Sequence, residues 1–576
     1  MYCPPMRNGI DVIVMAPKGK PEISEQLCIA CGICTHKCPF DAIRIIQLAS
    51  ELDHELIHAF GVNEFKLFRL PVPREREVVG LLGANGTGKT TCINILAGKL
   101  VPNLGNYNGT PSWDTVLDVF SKTQLGKFLK KVVDSSLNIV IKPQNIDAIP
   151  RFYKGTAREL LTKNISEERI KDFAARLNVE STLLDRDIRT LSGGELQSLA
   201  LIAALSKAAD FYFLDEPSNY LDIYQRLNVA RVIKELAQQK TVMVVEHDLA
   251  ILDYIADYIH IIYGEPGSYG VVTQIRAVRT GINTYLDGFL REENVRFRSS
   301  SIKFTVHDAK GEFHGATLFR YPSYIKTYNG FSVQTSEGII HKGEVIGILG
   351  PNATGKTTFV KMLAGEIQPS EVRTHDSGTI HEAQCTISYK PQYIKFEFDG
   401  TVSEYLRTTL KERVSNTFFN SEVIHPLGIN HIKERQISEL SGGETQILGL
   451  AVAFGKEADL YIFDEPSAFL DANMRMCVAK IIQRFIQKTG KSAFVVDHDI
   501  YFIDIVADSL IVFEGVSGKY GVGIGPFTMR NGMNRFLEKL EITFRRDEDS
   551  LRPRINKPGS YLHREQIAKK DYYYES

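Results

Sequence analysis

The stretch at 83–91, GANGTGKTT, matches the phosphate-binding loop G-x-x-x-x-G-K-[ST]. It follows a short apolar run that predicts a buried strand, and it precedes residues that predict the start of a helix. In that context the glycines let backbone N–H groups approach phosphates, and the helix N-terminus adds positive charge. The same loop recurs as GPNATGKTT at 350–358 after another apolar run. Two copies in matching contexts disfavour a mere glycine-rich turn and predict two phosphate-binding units.

The length and composition indicate a multidomain globular protein. The 576 residues exceed what one core holds and predict roughly three or four domains. The net charge of −1 gives no overall attraction to nucleic acid, so such contacts require local basic patches. No apolar run reaches the roughly 18 residues of a membrane span, and the first residues contain no signal-peptide core. We therefore expect a cytoplasmic protein without a membrane partner.

Each loop predicts the same contacts with a nucleotide. Lys89 and Lys356 are expected to reach the β- and γ-phosphates, and the hydroxyls of Thr90 and Thr357 are expected to bind Mg²⁺. The loop residues expected to bind nucleotide are Gly83, Asn85, Gly86, Gly88, Lys89, Thr90, Thr91, Gly350, Asn352, Gly355, Lys356, Thr357 and Thr358.

Further motifs follow both loops in the same order. Gln144 and Gln392 follow apolar runs and are expected to contact Mg²⁺ and the γ-phosphate. The sequence LSGGE, at 191–195 and 440–444, then opens an apolar helix whose N-terminus predicts a second anion site. The residues expected to bind nucleotide there are Ser192, Gly193, Gly194, Glu195, Ser441, Gly442, Gly443 and Glu444.

An apolar strand in each half ends in two carboxylates, and the next strand ends in a histidine. Asp215 and Asp464 are expected to hold Mg²⁺ through water. The expected catalytic residues are Glu216, Glu465, His247 and His498. An isolated acidic pair can cap a helix, and an isolated strand-end histidine can be a core residue. Such explanations do not account for the whole ordered set appearing twice.

In this order the motifs resemble those of the ABC ATPase family: Walker A loop, Q-loop, signature, Walker B, D-loop and H-loop. The resemblance implies two ATP molecules clamped between halves arranged head to tail. Site 1 would join the first Walker A loop to the second signature (Ser441, Gly443, Glu444), and site 2 the second loop to the first signature (Ser192, Gly194, Glu195). One of the aromatic rings Phe60 and Phe65 is expected to stack on the adenine of ATP, unless these rings belong to the hydrophobic core.

The N-terminal cysteines predict an iron–sulfur site. The run C-x-x-C-x-x-C-x-x-x-C-P at 28–39 is the bacterial ferredoxin pattern for a [4Fe–4S] cluster, with structural zinc as the alternative. The expected ligands are Cys28, Cys31, Cys34 and either Cys38 or Cys3. Upstream only Cys3-Pro4 resembles the end of a second run, so we expect one cluster and regard a second as doubtful. Residues 11–23 predict a hairpin within this module.

The two halves differ before the Q-loop and are joined by arginine-rich strips. The interval from Lys89 to Gln144 is longer than that from Lys356 to Gln392. The extra segment at 113–137 predicts two short helices around Gly126. Its lysines form either a solvated face or a nucleic-acid contact: Lys122, Lys127, Lys130 and Lys131. The arginines of the strips either contact phosphate or pair with acids, and packing between the halves is an equal alternative.

The predicted fold class is α/β, with two fused ABC-type P-loop domains, an N-terminal ferredoxin-like iron–sulfur module and hinge segments. The predicted boundaries are 1–50 for the iron–sulfur module, 51–263 for the first ABC domain, 264–305 for hinge 1, 306–535 for the second ABC domain, and 536–576 for hinge 2 and the tail.

The iron–sulfur module and the hinge strips resemble one family in particular, ABC subfamily E. The strips are GIN at 281–283 and LDG at 286–288, with ITFRRD at 542–547 and RPRIN at 552–556. The resemblance implies ATP-driven splitting of post-termination ribosomes into subunits, with a role in termination and initiation. It also implies the small ribosomal subunit, rRNA, a release factor and initiation factors as partners of a monomer.

The chain departs from the family pattern in three places. The first cysteine run is reduced to Cys3, and the second signature continues with Thr445. The second H-loop has Asp497 where the first has Glu246. The alternative functions are an ABC-F-like translation factor, a DNA-repair ATPase, a transporter's ATPase subunit or a non-enzymatic scaffold. The cysteine run, the hinge strips, the fused halves and the two complete catalytic sets disfavour these alternatives.

Overall fold

The computed structural model describes residues 2–15, 19–25, 27–38, 43, 45–46, 50–146, 148–298, 301–304, 313, 315–373 and 385–573. Two mixed α/β units and a small N-terminal module account for these residues, as the fold class predicts.

The N-terminal module contains the predicted hairpin. Ile13–Met15 pairs antiparallel with Pro21–Ile23, and two short helices flank the pair, Pro4–Arg7 and Ile33–Lys37. The module is fixed to the first ABC unit by the backbone of Ile23, whose N–H donates to Asn63 Oδ1 at 2.7 Å. An ion pair of 2.6 Å between Lys66 and Glu25 adds to this contact.

The first ABC unit is built on a sheet whose central strands are parallel. Its strands lie in the order Leu56–Ala59, Lys66–Phe68, Tyr269–Val272, Tyr258–Tyr263, Val78–Gly83, Thr241–Val245, Phe211–Asp215 and Ile139–Lys142, with Arg276–Ala277 paired to Tyr258–Tyr263. The central strands Val78–Gly83 and Phe211–Asp215 are buried along their whole length, because helices cover both faces of a parallel sheet. The loops at the carboxyl ends of these strands carry the predicted motifs.

The predicted boundary between the first ABC domain and hinge 1, at 263/264, lies inside this sheet. Tyr269–Val272 is inserted between Lys66–Phe68 and Tyr258–Tyr263. The boundary prediction was therefore wrong, because the glycines and proline at 264–267 form a tight turn between paired strands rather than a linker. The region that leaves the sheet begins with the helix Val278–Asp287.

The second ABC unit repeats this architecture. Its sheet has the order Glu371–Arg373, Ser323–Tyr328, Phe331–Thr335, Tyr520–Thr528, Ser509–Val516, Val345–Leu349, Ser492–Val496, Leu460–Asp464 and Ile387–Lys390. A separate pair, Thr317–Tyr321 and Gly338–His341, packs beside it. The helix Met529–Glu538 crosses the predicted boundary at 535/536, so the second unit extends slightly further than predicted.

Helices surround both sheets. Those of the first unit and hinge 1 are Lys89–Leu96, Trp113–Phe120, Gln124–Val133, Ile149–Phe152, Ala157–Thr162, Glu167–Arg176, Ser181–Leu184, Gly193–Leu205, Ile223–Ala237, Leu249–Ile255 and Val278–Asp287. Those of the second unit and the tail are Lys356–Leu363, Val402–Leu410, Thr417–Phe419, Gly442–Gly455, Ala472–Thr489, Ile500–Val506, Met529–Glu538 and Tyr561–Lys569. Short turns of other helix types are Ser50–Glu55, Ile188–Thr190, Lys411–Ser415, Asn420–Ile424, Ile429–His431 and Ile437–Glu439. One apolar core runs through both units, so the halves pack as one body.

The insertion in the first unit consists of two helices, as predicted, but they meet at 121–123 rather than at Gly126. Ser112 and Thr123 cap the two helices: Ser112 Oγ accepts from Asp114 N, and Thr123 Oγ1 accepts from Gly126 N. Gly126 lies inside the second helix, where an added Cβ would stand 2.0 Å from Phe120 O. Glycine is needed there for close helix contact rather than for a chain reversal.

The hinge arginines pair with acids. Arg552 and Arg554 both donate to Asp253 Oδ2, at 2.9 and 2.7 Å. Arg279 Nε donates to Asp547 Oδ2 at 3.0 Å, and Arg552 is 0% exposed. Since Asp253 belongs to the first unit, these contacts fix the tail hairpin Phe544–Arg546/Pro553–Ile555 across the boundary between the halves. Of the alternatives left open by the sequence, acid pairing and packing between halves both hold for these arginines.

Candidate active site

The first Walker A loop joins the strand Val78–Gly83 to the helix Lys89–Leu96. Gly88 caps that helix with φ +94°, and a Cβ there would lie 2.8 Å from Phe65 Cζ. The Lys89 ammonium donates to Gly83 O at 2.8 Å and to Ala84 O at 3.0 Å. Burial lowers the pKa of Lys89 despite nearby carboxylates. The lysine is thus held inside the loop, where a phosphate could replace the carbonyl contacts.

The second Walker A loop has the same geometry. Gly355 caps the helix Lys356–Leu363 with φ +97°. Lys356 Nζ donates to Gly350 O and Pro351 O at 2.9 and 2.7 Å. Other predicted loop residues recur at matching positions of the two loops: Asn85 and Asn352, Thr90 and Thr357, and Thr91 and Thr358. Gly86 has no glycine counterpart, because Ala353 stands at the matching position.

The two carboxylates of the first Walker B motif differ in their electrostatics. Burial and the charge of Glu216 raise the pKa of Asp215 to about 6. Burial also acts to raise the pKa of Glu216, but His247 and Lys89 outweigh it and hold that pKa at about 2. Asp464 and Glu465 repeat this division, with pKa values of about 6 and about 2. Each half therefore contains one carboxyl group with a lowered pKa and one with a raised pKa.

A buried lysine lies beneath each carboxylate pair. Lys142 Nζ donates to Asp215 O at 2.9 Å, and Lys390 Nζ donates to Asp464 O at 2.8 Å. Burial lowers the pKa of both amines to about 8, although the carboxylates oppose it. The sequence reasoning gave these lysines no role; the signal was the matching K-P-Q at 142–144 and 390–392.

The Q-loop and H-loop residues converge on the catalytic glutamate. Gln144 Nε2 donates to Glu216 Oε1 at 2.7 Å, and His247 Nε2 lies 3.2 Å from the same oxygen. In the second half, Gln392 Nε2 donates to Glu465 at 2.8 Å, and His498 Nε2 lies 3.4 Å from it. The structure thus brings these predicted residues together; their contacts with Mg²⁺ and phosphate remain predictions.

Two buried polar atoms of these sites have no hydrogen-bond partner within the part of the chain that is described. They are Nδ1 of His247 and Oδ1 of Asp464, whereas Nε2 of His247 and Nε2 of His498 face the catalytic carboxylates at 3.2 and 3.4 Å. Buried polar atoms are normally paired. Imidazole N–H groups suit a phosphate oxygen and carboxylate oxygens suit a metal ion, so the donor set fits ATP with Mg²⁺.

Site 2 is formed by both halves. A cavity of about 600 Å³ is lined by Ser192, Gly193, Gly194 and Glu195 of the first half and by Lys356, Thr357, Thr358, Gln392, Glu465 and His498 of the second half. Phe331 lies on the same wall. Its ring lies 3.3 Å from a Cβ built at Gly355, as the Phe65 ring lies 2.8 Å from one built at Gly88 in the first half, and the sequence reasoning missed it because it looked for such a ring only in the first half.

The D-loops connect the two halves directly. The Asn352 N–H donates to Asp222 Oδ2 at 2.8 Å, and the Asn85 N–H donates to Asp471 Oδ2 at 3.1 Å. Each D-loop aspartate therefore binds the Walker A loop of the opposite half. This reciprocal pattern is the head-to-tail arrangement that the ABC resemblance implied.

The signature glutamates have a structural role that the sequence reasoning did not predict. Ser192 caps the helix Gly193–Leu205, and the carboxylate of Glu195 accepts from Ser192 N at 2.7 Å. Arg186 also donates to Glu195, and Glu444 repeats this with Ser441 and Arg435. A glutamate at this helical position reaches back to the cap residue. The two carboxylates are thus engaged within their own half, and their contact with nucleotide remains a prediction.

The substitution in the second H-loop is accommodated locally. Glu246 Oε1 accepts from Ser218 N at 2.9 Å. The shorter Asp497 accepts from Ser467 N at 3.1 Å and also from Ser467 Oγ at 2.8 Å. The contact between the H-loop and the segment before the D-loop is therefore retained.

The five N-terminal cysteines form no disulfide bonds. Gly32, with φ +74°, turns the chain into the helix that carries Cys34. Burial raises the pKa of Cys34, and the neighbouring Cys28 and Cys31 add to the effect. Within the described ranges, no three His, Cys, Asp or Glu side chains converge in a ligand arrangement. The choice between Cys3 and Cys38 stays a prediction.

None of the described helices is long and apolar enough to cross a membrane.

Comparison with known proteins places these features in a family. Residues 72–219 and 333–468 match the ABC transporter family model, and residues 21–44 match the 4Fe-4S binding domain model. ABC transporter E family member 1 of Arabidopsis thaliana is 42% identical over 99% of this chain and 95% of its own length. The chain belongs to ABC subfamily E.

Other subfamily E proteins agree with this assignment. Translation initiation factor RLI1 of Saccharomyces cerevisiae is 42% identical over 99% of this chain and 94% of its own length. The crystal structure of the archaeal ribosome recycling factor aABCE1 with the archaeal ribosomal stalk protein aP1 gives a TM-score of 0.85 at 48% identity, covering 91% of this chain and 100% of that one. This subfamily E chain is therefore an ATP-hydrolysing enzyme with a 4Fe-4S binding domain.

Proposed function

We propose that this subfamily E protein uses ATP to split post-termination ribosomes into subunits. The observation that carries the proposal is the reciprocal contact between each D-loop and the opposite Walker A loop. Nucleotide bound between the halves changes how they sit together, and such a change can be transmitted to a bound ribosome. An archaeal relative described as a ribosome recycling factor supports this choice of target.

The chemistry at each site divides among residues of both halves. Lys89 and Lys356 exchange their carbonyl contacts for phosphate oxygens. Glu216 and Glu465, with pKa values of about 2, are ionised near neutral pH and accept a hydrogen bond from the attacking water. His247 and His498 donate to the transferred phosphate.

Mg²⁺ would be held at each site by residues that sit around the Walker A helix start. They are Thr90, Gln144 and Asp215 in the first half and Thr357, Gln392 and Asp464 in the second. When bound, the ion neutralises phosphate charge. The signature glycines and serines of the opposite half complete the site with backbone N–H donors.

ATP bridging the halves favours the closed arrangement, and hydrolysis removes the bridge. Binding shifts this equilibrium only by its differential affinity for the closed state. The ribosome therefore has to be bound by surfaces that move relative to each other during closure.

The N-terminal module holds one [4Fe–4S] cluster through Cys28, Cys31 and Cys34 with either Cys38 or Cys3. The cluster stabilises a docking element, since the described part of the N-terminal module contains only two short helices and one two-stranded pair. Iron analysis giving about four irons per chain is expected; about eight would mean two clusters.

The partners are the small ribosomal subunit with its rRNA, a release factor and initiation factors, met in the cytoplasm by a monomer of this protein. The insertion offers one contact for RNA. Its four lysines are exposed: Lys122, Lys127, Lys130 and Lys131.

The test is sedimentation of post-termination ribosomes in sucrose gradients with this protein, a release factor and ATP. The wild type is expected to separate the subunits. Glu216→Gln/Glu465→Gln should close without hydrolysing, since loss of a positioned base typically lowers the rate by about a hundredfold or more, and should stay on the small subunit. Intact ribosomes with the wild type, and no binding to either subunit, would contradict the proposal.

A further inference from the structure

Two buried arginines occupy matching positions just after the D-loops. Arg226 and Arg475 are each 8% exposed. Arg226 Nε donates to Leu221 O at 2.7 Å, and Arg475 Nε donates to Leu470 O at 2.8 Å. The Nη1 group of each arginine reaches the aspartate that follows the H-loop histidine of its own half. Each guanidinium thus joins a D-loop to an H-loop.

In the first half, this joint completes a continuous path between the two ATP sites. Asp222 binds the Walker A loop of site 2 through Asn352 N–H at 2.8 Å. The preceding carbonyl, Leu221 O, binds Arg226, whose Nη1 donates to Asp248 Oδ2 at 2.7 Å. Asp248 follows His247, which lies 3.2 Å from the catalytic carboxylate of site 1.

A mirror path runs from site 1 to site 2. Asp471 binds the Walker A loop of site 1 through Asn85 N–H at 3.1 Å. Arg475 joins Leu470 O to Asp499 Oδ2, the latter at 3.4 Å. His498, the residue before Asp499, lies 3.4 Å from Glu465.

We propose that Arg226 and Arg475 are positioning residues that make hydrolysis at one ATP site depend on the nucleotide in the other. The planar guanidinium holds its two acceptors in a fixed mutual geometry. Movement of a D-loop with the opposite Walker A loop therefore shifts the aspartate and the histidine behind it. The inference rests on ATP hydrolysis alone and not on ribosome splitting.

The two paths are unequal. The contact of Arg226 with Asp248 is 2.7 Å, and that of Arg475 with Asp499 is 3.4 Å. Gln225 Oε1 also accepts from Asp222 N at 3.2 Å and completes a capping box. Met474, at the matching position, has no such acceptor. The D-loop of the first half is therefore held more rigidly, and site 1 depends more strongly on site 2 than the reverse.

The test reads hydrolysis at site 1 in two states of site 2, without ribosomes. Glu465→Gln leaves ATP bound at site 2, and Lys356→Ala prevents its binding. The ratio of the two kcat values measures the dependence of site 1 on site 2, and the reciprocal ratio uses Glu216→Gln and Lys89→Ala.

Arg226→Lys keeps the charge beside Asp248 but loses the rigid fork. It is expected to bring the site 1 ratio close to unity with little change in KM, and to change the site 2 ratio much less, although Arg226 also lines the site 2 cavity. Arg475→Lys should do the converse, with a smaller change. Arg231→Lys, on the exposed face of the same helix as Arg226, should change neither ratio.

Thermal unfolding of each variant separates this effect from misfolding, since a folding defect lowers the rates at both sites together. Three results would overturn the inference: a site 1 ratio already at unity in the parent, a ratio unaffected by Arg226→Lys, or equal effects of the two arginine substitutions on both ratios.

Discussion

At the scale of single residues, a buried histidine on the central strand Tyr258–Tyr263 joins the segments at Val72 and Thr273. His260 Nε2 accepts from Val72 N at 3.0 Å, and its Nδ1 donates to Thr273 O at 2.7 Å. Burial lowers the pKa of His260 to about 4. The ring is therefore neutral in the folded protein, and both of its nitrogens are used.

This histidine predicts a pH dependence of stability. Because its folded pKa lies below the ordinary value near 6.5, the unfolded chain takes up a proton first as the pH falls. The free energy of unfolding should drop between about pH 6.5 and pH 4, by up to about 3 kcal/mol. Denaturant unfolding across this range measures the drop. His260→Gln should show a shallower dependence, and an unchanged slope would contradict this explanation.

At the scale of elements, the insertion depends on a glycine. A Cβ at Gly126 would stand 2.0 Å from Phe120 O, so Gly126→Ala should push the two helices apart. We expect a loss of about 1–3 kcal/mol in the free energy of unfolding. In a helix without such a clash, replacing glycine by alanine would raise the free energy of unfolding by up to about 1 kcal/mol.

Denaturant unfolding shows whether Gly126→Ala lowers or raises the free energy of unfolding. Lys127→Ala, on the exposed neighbouring position of the same helix, serves as a control and should be nearly neutral. Stabilisation by Gly126→Ala would show that the helices are not in close contact.

The elements differ in how far the sequence predicts them. Walker loops, signature helices and Walker B strands follow from local patterns, because each motif needs its own strand, turn and helix context. The strand Tyr269–Val272 does not, because its place between Lys66–Phe68 and Tyr258–Tyr263 depends on pairing between distant segments. The same holds for the D-loop contacts, which exist only once two halves are assembled.

Within the candidate site, the convergence of Gln144 and His247 on Glu216 follows the order of the motifs. The role of Lys142 does not follow, since a lysine beside a Q-loop looks solvent-exposed in sequence yet is 1% exposed in the fold. The sequence left open whether the hinge arginines contact phosphate or pair with acids. Their pairing with Asp253 could not be predicted, because Asp253 lies far from them in the chain.

At the scale of the whole molecule, the tail fastens the two halves through Arg552. Its guanidinium is 0% exposed and contacts Asp253 of the first half and Tyr501 of the second. Arg552→Met leaves Asp253 paired with Arg554 alone, so the cost should stay below the roughly 3–5 kcal/mol of a buried charge that has lost its whole partner.

Calorimetry should therefore show the halves unfolding in separate transitions in Arg552→Met, at lower temperature than in the parent. Arg279→Met removes a more exposed arginine of the same network, 41% exposed in its side chain, and should have a small effect. A single transition at the parental temperature in Arg552→Met would show that the tail does not join the halves.

The composite nature of the ATP sites is tested most directly by pairing substitutions across the two halves. In the head-to-tail arrangement, Lys356→Ala and Ser192→Arg both change site 2 and leave site 1 intact. Lys356→Ala and Ser441→Arg change one residue in each of the two sites. If each site joins the Walker loop of one half to the signature of the other, the first pair should hydrolyse ATP about as fast as Lys356→Ala alone, and the second pair should lose nearly all hydrolysis. The opposite order of these two rates would mean that each half works with its own signature, and the head-to-tail arrangement would be wrong.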